Sequence, residues 1–494
     1  MYLVSISACY LFLQRAYGLN NGLGRVPPIA WSSWNFFALD INASVIEAIA
    51  DTVESSGLVQ MWTKLSGVRP SLNIDAGYLE HDRSSSGKLV VNSTKFPYAL
   101  SQLSDSLSSK GLGMGVYTDI SNRSCGLGPG SLGFYHQDAE QIASEWKASY
   151  LKVDYCGYQV VSPEPVPQYE HWASLRDALN ATGKPIYYSI CPHTQSPDVG
   201  PGRAYQNFLS YAPPASWTAE QRQKLANSLL VEFVNTLDFW YSPHSYGGTT
   251  PPGGIITNID SWASLTEPQY AVPGSHNDLD MLQMCMYGKG ATPHGEGMTL
   301  SEYRAHYSVW VVLGSPIILS ADFRTLAREH PDCMSLLMNE AVLAVNQDAG
   351  MHAARMVSQT TNSSDVTSAT ITQQVFARPL DGVTHGGHIH AMHLAGKVQG
   401  VDMHSDGTAR SLAVVFLNRG ESREQSMSVS WEELGLPAGR VVQVVDIWSG
   451  EHMGSAVGSV NATVSSHDVL MLRLDGASVD LNHWGVMPRV PANT

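Results

Sequence analysis

Asp154 closes the run Tyr150-Leu-Lys-Val-Asp154, and Lys152 stands two residues before it. An apolar, β-forming run that ends on a carboxylate reads as a short buried strand with an acid at its mouth. Residues two apart on a strand point to the same side, so Lys152 and Asp154 are expected to share a face. A nearby ammonium favours the ionised carboxylate, which is the form needed for attack on an electrophile. The same pair would also serve as a structural ion pair, because perturbed carboxylates are often structural. From this stretch the two readings stand side by side. Four more aspartates, Asp75, Asp119, Asp238 and Asp280, fall at or just after the ends of other strand-like runs. One polar strand end is ordinary; five aspartates so placed point to a site.

The elements that would position them recur at the spacing of a βα unit. Strand-like runs begin near Pro28, Ser71, Gly113, Tyr150, Ile186, Leu230, Ser275 and Pro316. Eight such units close a barrel, whose site lies at the C-terminal ends of the strands. Between them, Ser44-x-x-Glu47 reads as a capping box, followed by a face of Val45, Ile49, Thr52 and Val53. Leu100, Leu103 and Leu107 form another face, stopped by Gly111. The stretch from Pro192 to Pro273 is longer than one βα unit needs and is expected to wall or cover the barrel mouth.

After Asn346-Gln347-Asp348 the helical period fades. Thr370–Ala377, Ser411–Asn418, Arg440–Ile447 and Asp468–Leu474 read as strands between turns. The fold class is therefore α/β: a (β/α)8 TIM barrel over 26–348, followed by a C-terminal antiparallel β-sandwich over 349–494. Within the second part, His388 and His390 would face one way on a strand. No cysteine or clustered acid completes a metal set, so a solvated strand edge is the reading and no metal is expected.

The chain has 494 residues, 43% hydrophobic and 15% charged, enough for a large core and a smaller one. A net charge of −15 with no Lys/Arg run argues against nucleic acid and against an anionic membrane surface. Residues 1–18 carry a short apolar run before Ala16-Tyr17-Gly18 and read as a signal peptide without its basic start. Past Cys9 the cysteines are Cys125, Cys156, Cys191, Cys285 and Cys333, with no zinc-like spacing. Six sequons, at Asn42, Asn92, Asn122, Asn180, Asn362 and Asn461, agree with a secreted or lysosomal/vacuolar route.

Together, Pro28-Ile-Ala-Trp-Ser-Ser-Trp34, Asn73-Ile-Asp75, Lys95-Phe-Pro97, Gly115-Val-Tyr-Thr-Asp119, Cys125 and Pro129-Gly-Ser131 form an ordered series. It continues through Tyr150–Cys156, Asn277-Asp-Leu-Asp-Met-Leu282 and Asn346-Gln-Asp348. The series resembles glycoside hydrolase family 27 of clan D, the α-galactosidases and α-N-acetylgalactosaminidases, from Pro27 to Leu474. The resemblance implies a barrel followed by an antiparallel β domain. It also implies a retaining mechanism on two carboxylates, which in such pairs sit about 5 Å apart. By resemblance Asp154 is the nucleophile and Asp238 the acid/base, with Asp260 in reserve. Trp34 resembles the aromatic wall of the sugar pocket. Asp75, Lys152 and Asp280 resemble sugar-hydroxyl ligands, Met281 lies beside them, and Tyr117 resembles the tyrosine near the nucleophile. Trp31, Asp119, Asp278 and His276 resemble supporting residues behind these. Cys125 and Cys156 match the family disulfide beside the nucleophile, which suits an oxidising compartment.

The departures lie where a sugar would be chosen. The family pattern has two adjacent acids where this chain has Asp75-Ala76, and a cysteine pair where it has Gly77 and Ala38. A glutamate is replaced at Cys191-Pro192, and an arginine at Val234. Each missing charged group is a lost hydroxyl contact. The expectation is a retaining exo-α-galactosidase without a cofactor. The alternatives are α-N-acetylgalactosaminidase, β-L-arabinopyranosidase, isomaltodextran cleavage, or a carbohydrate-binding pseudoenzyme. A phosphate-handling barrel ranks last, for want of a Gly-rich phosphate loop. The partners expected are a carbohydrate substrate and at most a second copy of the chain, as a homodimer.

Overall fold

The structure, a computed structural model, describes residues 21–125, 128–155, 168–191, 230–232, 255–263, 274, 276–291, 297–352, 354–362, 370–382, 408–420, 424–481 and 484. Eight short strands line up in parallel and in chain order. They are β1 (Ile29–Ser32), β2 (Ser71–Asn73), β3 (Gly113–Asp119), β4 (Tyr150–Asp154), β5 (Tyr187–Ile190), β6 (Leu230–Glu232), β7 (His276–Asp278) and β8 (Ile317–Leu319). Each begins within one residue of its sequence expectation. β8 pairs with β1, and Leu282, just past β7, bridges in parallel to Leu319, so the sheet closes on itself. This is the expected barrel.

Helices cover the outside: α1 (Ala43–Ser55), α2 (Leu58–Ser66), α3 (Leu100–Ser109), α4 (Tyr135–Glu140), α5 (Gln168–Ala181), α6 (Ile255–Ala263) and α7 (Leu300–Leu313). α1 buries Val45, Ile49 and Val53 of the predicted face together with Ile46 and Ala50, while Thr52 is only half-buried and its hydroxyl donates to the Ala48 carbonyl. Its cap differs from the expectation. Asn42, not Ser44, receives the Val45 N–H, because both arms of the expected box are engaged elsewhere. Ser44 Oγ donates to Asn42 Oδ1 at 2.7 Å, and Glu47 Oε1 accepts from Tyr98. α3 buries Leu100, Leu103 and Leu107, and Gly111 at φ +77° turns the chain out of it. A Leu→Ala change on that stripe would cost about 2–5 kcal/mol.

The C-terminal part is antiparallel: β9 (Arg355–Asn362), β10 (Thr370–Leu380), β11 (Thr408–Asn418), β12 (Gln425–Ser430), β13 (Val441–Asp446), β14 (His452–Val457), β15 (Ser459–Val464) and β16 (Asp468–Asp480). One sheet runs β9-β10-β11-β16-β13-β14, and β12 pairs with β15. Alternate residues turn inward, so Val429 and Ala462 meet Val414 and Phe416 in a second core. α7 lies between the two parts. Arg304 pairs with Asp468 (Nε to Oδ1, 2.9 Å), His467 Nδ1 lies 2.8 Å from Glu302, and Trp448 Nε1 donates to Ser308 Oγ at 2.9 Å.

The signal-peptide stretch, the His388/His390 segment and most of Pro192–Pro273 lie outside the described residues. Among the described residues no helix is long and apolar enough to cross a membrane.

Candidate active site

The register of the barrel brings the carboxylates to one rim. β3 and β4 pair Tyr117 with Lys152 and Asp119 with Asp154. β2 and β3 pair Asn73 with Gly115. That glycine is required: a Cβ there would stand 2.0 Å from Asn73 Oδ1, which accepts from Ser71 Oγ at 2.8 Å. Asp75, Lys152, Asp278, Asp280 and Met281 then line one small cavity at the strand ends.

Asp154 is buried at the end of β4. The Tyr117 hydroxyl donates to its Oδ2 at 2.8 Å, while its Oδ1 is buried and takes no hydrogen bond among the described residues. Leaving a buried acceptor unmet is costly, so an oxygen left in this way suits one reserved for a substrate. Burial, with Asp154 next, pushes the Tyr117 hydroxyl well above its ordinary pKa and keeps it a donor. Cys125 Sγ lies 3.2 Å from Asp154 Oδ2. Cys125 is disulfide-bonded, so it has no proton to give. Its expected partner, Cys156, lies outside the described residues.

Lys152 does share a face with Asp154, but among the described residues its salt bridge runs to Asp75. Nζ lies 3.2 Å from Asp75 Oδ2, with both side chains buried. The expected Lys152–Asp154 pair is thereby corrected: the partner lies two strands away on the barrel, at the end of β2. The ammonium also sits 5.9 Å above the Tyr117 ring. Asp75 Oδ1 accepts the Ala76 N–H at 2.7 Å, and Ser33 Oγ holds the Asp75 N–H at 3.0 Å. Burial raises the Asp75 pKa, Lys152 opposes that, and Asp154 adds to it. The three groups form one coupled cluster, with a lysine among carboxylates that would grip a polyol through charge-assisted hydrogen bonds.

Asp280 follows β7 in a left-handed conformation (φ +75°), and its N–H donates to Asp278 Oδ1 at 2.9 Å. Met281 is buried beside it. Trp34 is half-buried in the turn after β1. Of the residues read as supporting ones, Asp278 itself lines the cavity. Trp31 is fully buried and donates to the Ala321 carbonyl at 2.8 Å. Asp119 Oδ1 receives the Ser121 N–H at 2.7 Å. His276 bonds the Gly24 carbonyl at 2.8 Å, with burial pulling its pKa down to about 4.

Asp238, the expected acid/base, lies outside the described residues, as do Pro192 and Val234. The reserve, Asp260, sits on α6 and is held by Arg419 of the β domain at 2.6 and 3.0 Å. That bidentate pair gives it a structural partner. Cys285 is bonded to Cys333 (S–S 2.02 Å), and Cys191 is a buried thiol. Among the described residues no three His, Cys, Asp or Glu side chains converge as metal donors. Ser33 was missed by sequence reasoning. Its signal was its place in the Trp31-Ser-Ser-Trp34 turn, directly after a strand.

This arrangement resembles known proteins over most of its length. The family model described as alpha galactosidase A matches residues 26–203 and 254–348. The model for the alpha galactosidase C-terminal beta sandwich domain matches 403–474. An alpha-galactosidase of Cyamopsis tetragonoloba is 31% identical over 462 residues, covering 92% of this chain and 87% of that one. Alpha-galactosidase 3 of Arabidopsis thaliana is 31% identical over 470 residues, covering 93% and 84%. Alpha-galactosidase I from Mortierella vinacea superposes with a TM-score of 0.70 at 25% identity, covering 93% of this chain and 100% of that one.

Proposed function

Because the chain belongs to the α-galactosidase family, family 27 of the glycoside hydrolases, we propose that it is a retaining exo-α-galactosidase that removes terminal α-galactosyl residues from oligosaccharides or glycoconjugates. Residues 26–348 form the catalytic part in this reading, and 349–494 the β domain. The observation that carries it is Asp154, one oxygen held by Tyr117 and the other taking no hydrogen bond among the described residues.

Asp154 attacks the anomeric carbon while Asp238 gives a proton to the leaving oxygen, forming a covalent glycosyl-enzyme. Asp238 then takes a proton from water, the water attacks the same carbon, and Asp154 leaves as a carboxylate. Asp75, Lys152 and Asp280 hold the sugar hydroxyls, and Trp34 and Met281 supply the apolar wall. No step calls for a cofactor. The compartment is secreted or lysosomal/vacuolar, which the Cys285–Cys333 disulfide supports.

One observation favours a second sugar. The residue beyond Asp75 is Ala76, buried and apolar, so that wall offers one carboxylate where the family pattern has two. An α-N-acetylgalactosaminide or a β-L-arabinopyranoside is then the alternative substrate. A panel of aryl α- and β-glycosides, run on wild type and Asp154→Asn, decides between them. Cleavage of the α-galactoside by wild type alone supports the proposal. Failure on every glycoside, or full activity in the Asn variant, overturns it.

A further inference from the structure

We propose that α7 is the positioning element of the sugar site: the ring side chains of Tyr303, His306 and Trp310 clamp the main chain of residues 280–287 and so fix the Asp280 carboxylate at the barrel rim. The inference rests on reading Asp280 as a sugar-binding group.

The three rings lie three and four residues apart, which puts them on one face of the helix. Each reaches a different point of the loop after β7. Trp310 Nε1 donates to the Asp280 carbonyl at 3.0 Å. His306 Nε2 accepts the Gln283 N–H at 3.1 Å. The Tyr303 hydroxyl accepts the Tyr287 N–H at 2.6 Å. The ladder runs antiparallel, so residues 280, 283 and 287 of the loop meet 310, 306 and 303 of the helix. The rings also brace one another: His306 and Trp310 lie 4.1 Å apart between centroids, and Tyr303 meets Tyr287 edge-on at 5.1 Å.

The loop needs such a clamp. Asp280, Cys285 and Tyr287 have φ of +75°, +63° and +50°. Side-chain-bearing residues rarely adopt that region, and they persist there only where the surroundings over-determine them. Two of the three ties fall on such residues, Asp280 and Tyr287, and Cys285 is fixed by its bond to Cys333. His306 is fully buried, and burial pulls its pKa down to about 3, so it stays neutral and able to accept. From behind, the β domain grips the helix through Arg304–Asp468 and Glu302–His467, and Arg378 donates to the Val311 carbonyl. A capping box between Thr299 and Glu302 fixes its start. The Asp280 carboxylate is thus set by a helix that has little freedom of its own.

The test uses the full-length enzyme, an aryl α-galactoside and free galactose as inhibitor. Trp310→Phe keeps a smaller aromatic ring and removes the donor. It should raise KM and the galactose inhibition constant together, each about fivefold, with kcat within about twofold, as for a group that binds ground and transition states alike. Tyr303→Phe should behave in the same way and replaces it if Trp310→Phe does not fold. His306→Leu should match them, and His306→Gln, which restores an acceptor, should recover part of the loss. Val312→Ala, buried on the same helix, should lower thermal stability and leave KM unchanged. In an Asp280→Ala background Trp310→Phe should add nothing further. The proposal is overturned if the ring variants lose stability as Val312→Ala does with KM and galactose inhibition unmoved. It is also overturned if Trp310→Phe keeps its full effect without Asp280. If Asp280→Ala alone changes neither constant, the sugar reading of Asp280 is itself wrong and the proposal falls with it.

Discussion

The hydroxyl of Tyr117 donates to Oδ2 of Asp154 across 2.8 Å, and Oδ1 of the same carboxylate accepts no hydrogen bond among the described residues. One oxygen is fixed, and the other is left for chemistry. Tyr117→Phe removes a charge-assisted bond of about 1.5–3 kcal/mol. The effect should be greatest when Asp154 departs as a carboxylate, in hydrolysis of the glycosyl-enzyme. With an activated aryl α-galactoside, rapid mixing should show a burst followed by a steady state slowed about 10–100-fold. An unchanged steady-state rate would contradict the role given to Tyr117.

Asp260 and Asp238 separate by leaving group. Arg419 is buried and holds Asp260 with both nitrogens, while the Asp260 side chain is one-third exposed. Asp260→Asn should therefore cost about 1–2 kcal/mol of stability after screening by solvent and leave kcat intact. Asp238→Ala should slow substrates with poor leaving groups far more than activated ones. The opposite pattern, with Asp260 variants sensitive to the leaving group, would exchange the two assignments.

Stability should rise toward acid through the junction between barrel and sandwich. Burial, and then the neighbouring Asp381, raise the Asp348 pKa from 3.8 to about 6. A carboxyl whose folded pKa is raised stabilises the fold fully below its unfolded pKa, and that contribution is lost as pH climbs through the folded value. Linkage bounds the loss at about 3 kcal/mol between pH 4 and pH 7. Asp348 also accepts the Gly350, Asp381 and Gly382 N–H groups, so Asp348→Asn should lower stability overall. Thermal unfolding from pH 4 to 7 should nevertheless show a flatter pH dependence in that variant than in wild type. An identical slope would remove Asp348 as its source.

The Cys285–Cys333 bond ties the loop after β7 to the helix Pro331–Leu337. Cys333→Ser should cost about 2–5 kcal/mol and also raise KM, because the loop carries Asp280. Thermal unfolding and steady-state kinetics on the same sample check both. A stability loss with unchanged KM would make the bond purely a staple of the fold.

Much of this was legible in the chain because the strands are short apolar runs, several of which end on or just before a carboxylate, and a parallel barrel brings such ends together. Alternation placed Lys152 and Asp154 on one side. It could not tell that the lysine's salt bridge would run to Asp75, since a ladder reveals which face a residue takes and not which neighbour its long side chain reaches. Ser44 and Asn42 are both good caps two residues apart, and only the competing bonds of Ser44 and Glu47 decide between them. Tyr303, His306 and Trp310 carried no signal of their own, because a ring that packs and a ring that also ties a loop look alike in sequence. Arg419 and Asp260 stand 159 residues apart, with no local pattern to join them.

The most direct measurement is to trap the glycosyl-enzyme. A fluorinated α-galactosyl donor that forms the intermediate quickly and hydrolyses slowly should add one sugar to the protein by mass. Peptide mapping should place that sugar on Asp154, and Asp154→Asn should take up none. A sugar found on any other residue, or the same labelling in Asp154→Asn, would contradict the account.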